Sequence, residues 1–334
     1  MICGKRCKLC IGTGFVLRCH IRIHHIVVII LLCVLLYYYC YIHHSQGLES
    51  LNVSQMLHVR NTAFFSTCND EYLRYSVTSL LSIRQYLPSA SLYIISKYIS
   101  DDNRSLLEKL NISLIVVDLS NLFPKTWLYP LECFYLFAGP QFLLKRGFEY
   151  SVYIDGDILC LTNPLEFLPR NLSGLAGVSM GLCKNIFPKE QLETIQKLFK
   201  ISTFTIETQP RIQSGVVFFN NKKMESLDFL AAASDSFLKC LNYGVPRKGD
   251  DSLLALLQLT KLKDYCFYLH RGYNYICSRF GQIDGNIVFM HFANKENKPW
   301  NNDYLNSSLN NVWIHYIKQY QQILRLCCSN ETKW

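Results

Sequence analysis

Acid is missing from the first 44 residues of this 334-residue chain, and charge of either sign is missing from residues 26–42. The acid-free stretch carries Lys5, Arg6, Lys8, Arg18 and Arg22, so five of the nine units of net positive charge sit there. The rest of the chain keeps 29 of the 34 basic residues against all 25 acidic ones. So slight an excess suits a small anionic substrate and argues against nucleic acid, for which no binding motif is present either. Charged residues are scarce at 18% and apolar ones make up 50%, which excludes global disorder and allows a substantial core. No internal repeat appears, and no low-complexity segment follows residue 45. The length fits one large domain or two small ones.

The uncharged run, IVVIILLCVLLYYYCYI, has 17 residues, the short end of what a spanning helix needs. Tyr37, Tyr38, Tyr39 and Tyr41 suit an interfacial aromatic belt at its far end, and all the basic residues of the stretch precede it. The pattern predicts a retained signal anchor of a single-pass type II membrane protein. A cytoplasmic tail (1–25), the anchor (26–42) and a stem (43–61) would precede a luminal domain (62–334) in the endoplasmic reticulum or Golgi. A cleaved signal peptide fits less well, because the basic region is long and no small-residue cleavage site follows. Glycosylation sequons at Asn52, Asn103, Asn111, Asn171, Asn306 and Asn330 agree with a luminal glycoprotein. Of the 15 cysteines, Cys3, Cys7, Cys10, Cys19, Cys33 and Cys40 lie before residue 45. No second ligand cluster follows the first three, so free or palmitoylated thiols are expected there rather than a metal knot. Nine cysteines remain beyond, enough for at most four disulfides of undetermined connectivity.

After the anchor, apolar and β-branched runs at 63–67, 92–95 and 114–117 alternate with helical spacing at 73–88 and 101–110. Cys68-Asn69-Asp70 reads as a polar turn able to cap the first of these helices. The alternation predicts a parallel sheet with crossover helices. A helix at 131–145 leads to the strand of residues 152–154. Further on, the pattern predicts a strand at 215–219, helices at 224–241 and 251–261, and a late strand at 287–290.

The strand at 152–154 delivers Asp155 and Asp157 around Gly156, and a second apolar run, 158–161, follows at once. Carboxylates at the carboxyl end of a strand in an open α/β sheet lie where such folds bind ligands. Two so close repel one another unless a cation or a proton sits between them. Their oxygens suit magnesium or manganese, and a later His291 could complete the shell. Lys298 could neutralise a diphosphate. Gln213-Ser214 before a strand and Gly249-Asp250-Asp251 opening a helix offer groups for sugar hydroxyls. Each has a plainer reading alone. Asp-x-Asp is common in turns, Asp250 and Asp251 suit an N-cap and first turn, and His291 suits a satisfied buried histidine.

In joint order, from about Ala63 to Trp300, these pieces resemble the glycogenin-like retaining glycosyltransferases, glycosyltransferase family eight. Cys68-Asn69-Asp70-Glu71-Tyr72 resembles that family's nucleotide-binding turn. Tyr153-Ile154-Asp155-Gly156-Asp157 resembles its Asp-x-Asp strand, and Asn163-Pro164-Leu165 the stretch that follows. Gln213-Ser214-Gly215-Val216 is similar to its sugar-binding segment, and Gly249-Asp250-Asp251-Ser252-Leu253-Leu254 to its Gly-Asp-Gln-x-Leu-Leu segment. His291-Phe292-Ala293 with Lys298-Pro299-Trp300 resembles its His-Phe-x-Gly-x-x-Lys-Pro-Trp signature, the most specific match. Asp251 stands where the family often has Gln, Gln213 where it has Asn, and Asn294 where it usually has Gly. The stretch Phe134-Tyr135-Leu136 lacks the basic residue the family often places toward the donor.

The resemblance implies a GT-A, Rossmann-like α/β domain that transfers a sugar from a nucleotide donor, most simply a UDP-sugar, to an acceptor hydroxyl of a glycan, glycoprotein or glycolipid with retention of configuration. Manganese or magnesium would lie on Asp155, Asp157 and His291. Thr67, Cys68, Asn69, Tyr72, Asp155, Gly156, Ser214 and Lys298 would bind the donor, and Gln213, Asp250 and Asp251 would face the reacting sugar. Acceptor contacts would come from 184–211 and 264–284. Two rivals differ in class: a haloacid-dehalogenase-type phosphotransferase, which also uses Asp-x-Asp after a strand, and a membrane-anchored binding protein without catalysis.

Overall fold

The computed structural model describes residues 61–124, 129–166, 168, 172–245, 249–276, 286–293, 298–300 and 311–328, with the side chains of the last helix described from 315 to 325. Two apolar runs build the middle of the fold. Strands β1 (Thr62–Thr67) and β4 (Tyr150–Ile154) lie side by side and parallel, Phe65 opposite Tyr153. Both are buried along nearly their whole length, as strands covered on two faces must be. Because successive side chains alternate, Phe64, Val152 and Ile154 enter one core with helix α1 (Leu73–Arg84). Ala63, Phe65 and Tyr153 enter the other. Gly139 is required beneath Phe65, since a Cβ there would lie 2.1 Å from the ring.

Helix α1 returns the chain to β2 (Ser91–Ser96), and α2 (Asp101–Lys109) returns it to β3 (Ser113–Val116), all parallel to β1. On the other side lie β7 (Pro210–Asn220), β6 (Leu175–Leu182) and β8 (Cys266–Leu269), with α4 (Leu192–Phe199) and α5 (Thr203–Thr208) between β6 and β7 in the chain, giving the order β3-β2-β1-β4-β7-β6-β8. Here the expectation of a parallel sheet is corrected: β7 runs antiparallel to β4 and β6, so the sheet is mixed. A buried apolar run such as 215–219 reads the same in either direction, and nothing in its pattern encodes the reversal. Past β4 the chain turns through residues 155–157 into β5 (Ile158–Cys160), which pairs with β10 (Phe289–His291). With β9 (Tyr275–Ile276) these form a second, three-stranded sheet. The closing helix α9 (Asn311–Cys328) packs on α1.

Three local expectations change. Residues 131–145 form a 3₁₀ turn, Leu131–Phe137, followed by α3 (Gly139–Leu144), whose start is set by Pro140. The stretch 224–241 breaks into α6 (Asn221–Ser226) and α7 (Phe229–Asn242), because Asp228 adopts a left-handed φ of 50° between them. Asp70 does not cap α1. Its carboxylate accepts the Ser100 amide at 3.0 Å and the Asn103 side chain at 3.0 Å, while Asn69 Oδ1 takes the Tyr72 amide. Asn103 is thereby buried, which removes it as a glycosylation site, whereas Asn111 is exposed.

The membrane topology is also corrected. Among the described residues no helix is long and apolar enough to cross a bilayer, and a single-pass type II protein of the endoplasmic reticulum or Golgi is not supported. The run at 26–42 lies outside the described residues. The tail, the stem up to residue 60 and the sequons at Asn52, Asn171, Asn306 and Asn330 lie outside them as well. Cys68, Cys133, Cys160, Cys183 and Cys266 are free thiols, and burial pushes Cys68 up to about 12.

Candidate active site

The cleft opens at the carboxyl ends of β1 and β4, where the strand order turns from β2 on one side to β7 on the other, the usual ligand position in such sheets. It encloses about 940 Å³, and every candidate residue named from the sequence lines it. Thr67, Cys68, Asn69 and Tyr72 follow β1, and Asp155, Gly156 and Asp157 follow β4. Gln213 and Ser214 come from β7, Asp250 and Asp251 from helix α8 (Gly249–Leu259), and His291 and Lys298 from the end of β10 and beyond.

Pairing between the sheets explains why His291 meets the aspartates. His291 sits opposite Ile158 in the β5–β10 ladder, and the Phe292 amide donates to the Asp157 carbonyl at 3.0 Å. Its Nε2 lies 3.3 Å from Asp157 Oδ1 and 3.8 Å from Asp155 Oδ2. The ring is fixed from behind, where Nδ1 lies 2.8 Å from Oδ1 of buried Asn274. An Nδ1–H donated there leaves Nε2 facing the acids, as a protonated donor to Asp157 when no cation is held, a form that burial opposes and the acid's charge favours, and as a lone pair when one is. Gln213 Oε1 accepts from the Asn274 amide and from the Gly215 amide, completing the brace. Gly215 must lack a side chain, since a Cβ would lie 2.4 Å from His291 Cε1.

Three ligand atoms of Asp155, Asp157 and His291 lie within 4.8 Å of one another. Two carboxylate oxygens and one imidazole nitrogen at such spacings fit one divalent ion, whose neighbouring ligands lie roughly 3 Å apart. The electrostatics agree. Burial and the charge of Asp157 push Asp155 above the usual carboxylate range, although Tyr153 donates its hydroxyl to Asp155 Oδ1 at 2.5 Å. Burial also opposes ionisation of Asp157, but His291 and Lys298 outweigh it and hold that acid well below the ordinary value. Lys298 Nζ contacts Asp157 Oδ2 directly.

At the other end of the cleft, Asp250 is pushed up to about 8, first by burial and then by Asp251 and Asp155. Asp251 is engaged on both oxygens: Oδ1 accepts the Ser214 amide at 2.9 Å and Oδ2 lies 3.0 Å from Arg211 Nη1. Beyond the end of β4, no strand among the described residues lies beside the Ile212 and Ser214 amides on that edge of β7. Helix α8 supplies the acceptors instead, Gln258 Oε1 for Ile212 at 3.0 Å and Asp251 for Ser214. Arg211 was not legible as a site residue, although its place two residues before Gln213 on one strand was a usable signal. Asn274 and Tyr153 were missed too. Asn274 ends a 3₁₀ turn, Arg271–Asn274, 17 positions before His291, too short a turn for any periodicity to point to it. Phe134, Tyr135 and Leu136 are buried, as their lack of charge implies, and neighbouring Glu132 and Cys133 reach the cleft instead.

A family model described as glycosyl transferase family 8 matches residues 63–304. The chain belongs to that family. A galactosyltransferase, LgtC, solved with donor and acceptor sugar analogues, superposes with a TM-score of 0.57 at 15% identity, covering 79% of this chain and 95% of that one. The bifunctional glycosyltransferase WbbM gives 0.51 at 17% identity, covering 82% of this chain and 53% of that one. The glycosyltransferase GlyE of Streptococcus pneumoniae TIGR4 gives 0.50 at 19%, with 80% and 63% covered. At such identities these likenesses show the fold, that of GT-A glycosyltransferases. No curated protein matches the sequence. Family membership makes the chain a nucleotide-sugar-dependent glycosyltransferase and sets aside the dehalogenase-type reading of Asp155 and Asp157.

Proposed function

We propose that this family 8 chain transfers a sugar from a UDP-sugar to an acceptor hydroxyl with retention of configuration, using manganese or magnesium on Asp155, Asp157 and His291. The observation that carries the reading is the meeting of these three ligand groups with Lys298 at the carboxyl ends of β1 and β4. A divalent cation bound there supplies a Lewis acid for a leaving diphosphate. Lys298 would turn its ammonium from Asp157 to the same phosphates and stabilise their developing charge. Asn69 and half-exposed Tyr72, with Thr67 and Cys68 beneath them, would receive the base and ribose. Gly156 and Ser214 would let the donor lie close to the backbone.

Gln213, Asp250 and Asp251 would orient the sugar. Asp251 is engaged on both oxygens and serves as a brace, which leaves Asp250 as the acid to meet a sugar hydroxyl. Asn185 and Ile186, from the segment expected to bind acceptor, reach the cleft wall; residues 277–284 of the second such segment lie outside the described residues.

The test is donor hydrolysis by the full chain. UDP-galactose, UDP-glucose, UDP-xylose, UDP-N-acetylglucosamine and GDP-mannose are each supplied with manganese and with EDTA, and nucleotide release is measured. Release from one donor, dependent on metal and lowered at least 100-fold in Asp157→Asn, is the expected outcome, on the scale of losing one key electrostatic group. Folded protein that binds no nucleotide and releases none would return the chain to a non-catalytic role.

A further inference from the structure

Tyr320, on the closing helix α9, is fully buried and touches the turn between the two aspartates, the neighbour of His291, helix α1 and the segment after Lys298. Its hydroxyl lies 2.6 Å from the carbonyl of Gly156, between the two aspartates, and 3.1 Å from the carbonyl of Tyr75 in α1. With one proton to give, it donates chiefly to the nearer, Gly156. Its ring meets Phe292, the neighbour of His291, edge-on at 6.1 Å, and Trp300, two residues past Lys298, at 6.2 Å. Trp300 itself stacks on Tyr75 at 3.8 Å. The next residue of the helix, Gln321, donates to the Pro299 carbonyl at 2.8 Å.

The turn carrying the aspartates is tied at each end by β7, α1 and the residue after β10. The Asp155 amide donates to Gly215 of β7 at 2.9 Å, the Asp157 carbonyl accepts from Phe292, and the Ile158 amide donates to Ser79 of α1 at 3.1 Å. The Gly156 carbonyl in the middle of the turn is held by Tyr320. The family match ends at residue 304, before this helix begins.

We propose that Tyr320 is a positioning residue for the metal centre, and that α9 is an added brace which sets the spacing of Asp155 and Asp157 through the Gly156 carbonyl. The inference rests on the metal reading above. A carbonyl that loses its buried partner rotates the flanking peptides toward another donor, and both flanking peptides carry a metal-ligating side chain.

Manganese binding by the full metal-free chain, measured by titration calorimetry and by the electron paramagnetic resonance of free manganese, tests it without recourse to turnover. Tyr320→Phe keeps the ring and deletes the hydroxyl; it is expected to weaken manganese affinity on the order of 10-fold. Ile323→Val, a buried change on the same helix, loosens packing without touching the turn and is expected to bind as wild type does. Thermal melts of the metal-free proteins confirm that both variants fold. Wild-type affinity in Tyr320→Phe, with Asp157→Asn defective, overturns the role of Tyr320 and leaves the metal site standing. An equal loss in Ile323→Val overturns the assignment to the hydroxyl. Unchanged binding in every variant, Asp157→Asn included, overturns the metal site itself.

Discussion

At Gly215 a hydrogen atom decides whether His291 can face two aspartates. A methyl group there would lie 2.4 Å from His291 Cε1 and 2.8 Å from its Nδ1. The ring is boxed in by Asn274 and cannot step back, so Gly215→Ala should swing Nε2 away from Asp157. Metal-dependent nucleotide release is expected to fall on the order of 10–100-fold, as when a metal ligand loses its support, with kcat rather than donor KM carrying the loss. Asp250 gives a prediction of pH dependence. With its carboxyl pushed up to about 8, the folded chain keeps a proton that the unfolded chain gives up near pH ~4. The native state then holds more protons than the unfolded state across that window, so stability falls as pH rises from about 4 to about 8. Asp250→Asn removes the loss. In metal-free thermal melts the variant should gain on the wild type at pH 8 and match it at pH 4; a gap constant with pH would contradict the raised value.

Between elements, the joint of β7 with α8 is held by side chains that substitute for a missing strand. Asp251 and Gln258 accept the two amides that β4 leaves behind when it turns away at Gly156. Asp251 brings a negative charge into this joint, and Arg211, on β7 itself and nearly buried, balances it. Removing one member of such a pair leaves the other charged and desolvated. Arg211→Met should therefore cost about 3 kcal/mol in urea unfolding. The double variant Arg211→Met/Asp251→Asn should recover more than half of that, because the Asn oxygen still accepts from Ser214 while the orphaned charge is gone. Additive losses would show that the two side chains do not act as one unit.

In the molecule as a whole, the candidate metal ligands join the two sheets. Asp155 and Asp157 bridge the main sheet to β5, and His291 ends β10 in the small sheet. A cation held by all three binds only the folded arrangement and stabilises it by mass action, about 2.7 kcal/mol at 100 times its Kd. The thermal midpoint should rise by roughly 5–10 °C on adding saturating manganese, return with EDTA, and stay unmoved in Asp157→Asn. The same architecture explains the mixed sheet. The antiparallel strand β7 places Gln213, Ser214 and Gly215 alongside the turn of Asp155, across β4 from β1, where the nucleotide is proposed to bind.

Buried, β-branched runs announced β1, β2, β4 and β7, since a strand covered on both faces leaves no other composition, and the helical spacing after Thr67 announced α1. The acids at the end of β4, and His291 and Lys298 far down the chain, were legible because metal and phosphate chemistry restricts which residue types can serve. Strand direction was not legible, as the antiparallel β7 shows. Neither were the partners that arrive from elements distant in the chain: Asn274 behind His291, Arg211 beside Asp251, Tyr320 on Gly156. Asp70 shows the limit at its simplest: it belongs to a turn expected to cap the helix beside it, and while Asn69 takes the Tyr72 amide there, Asp70 holds Ser100 and Asn103, some 30 positions on. Local pattern determined which segments form elements and which residues carry chemistry, because propensity and ligand chemistry act residue by residue. Tertiary structure alone decided which of them brace one another, because a hydrogen bond across the fold leaves no period in the sequence.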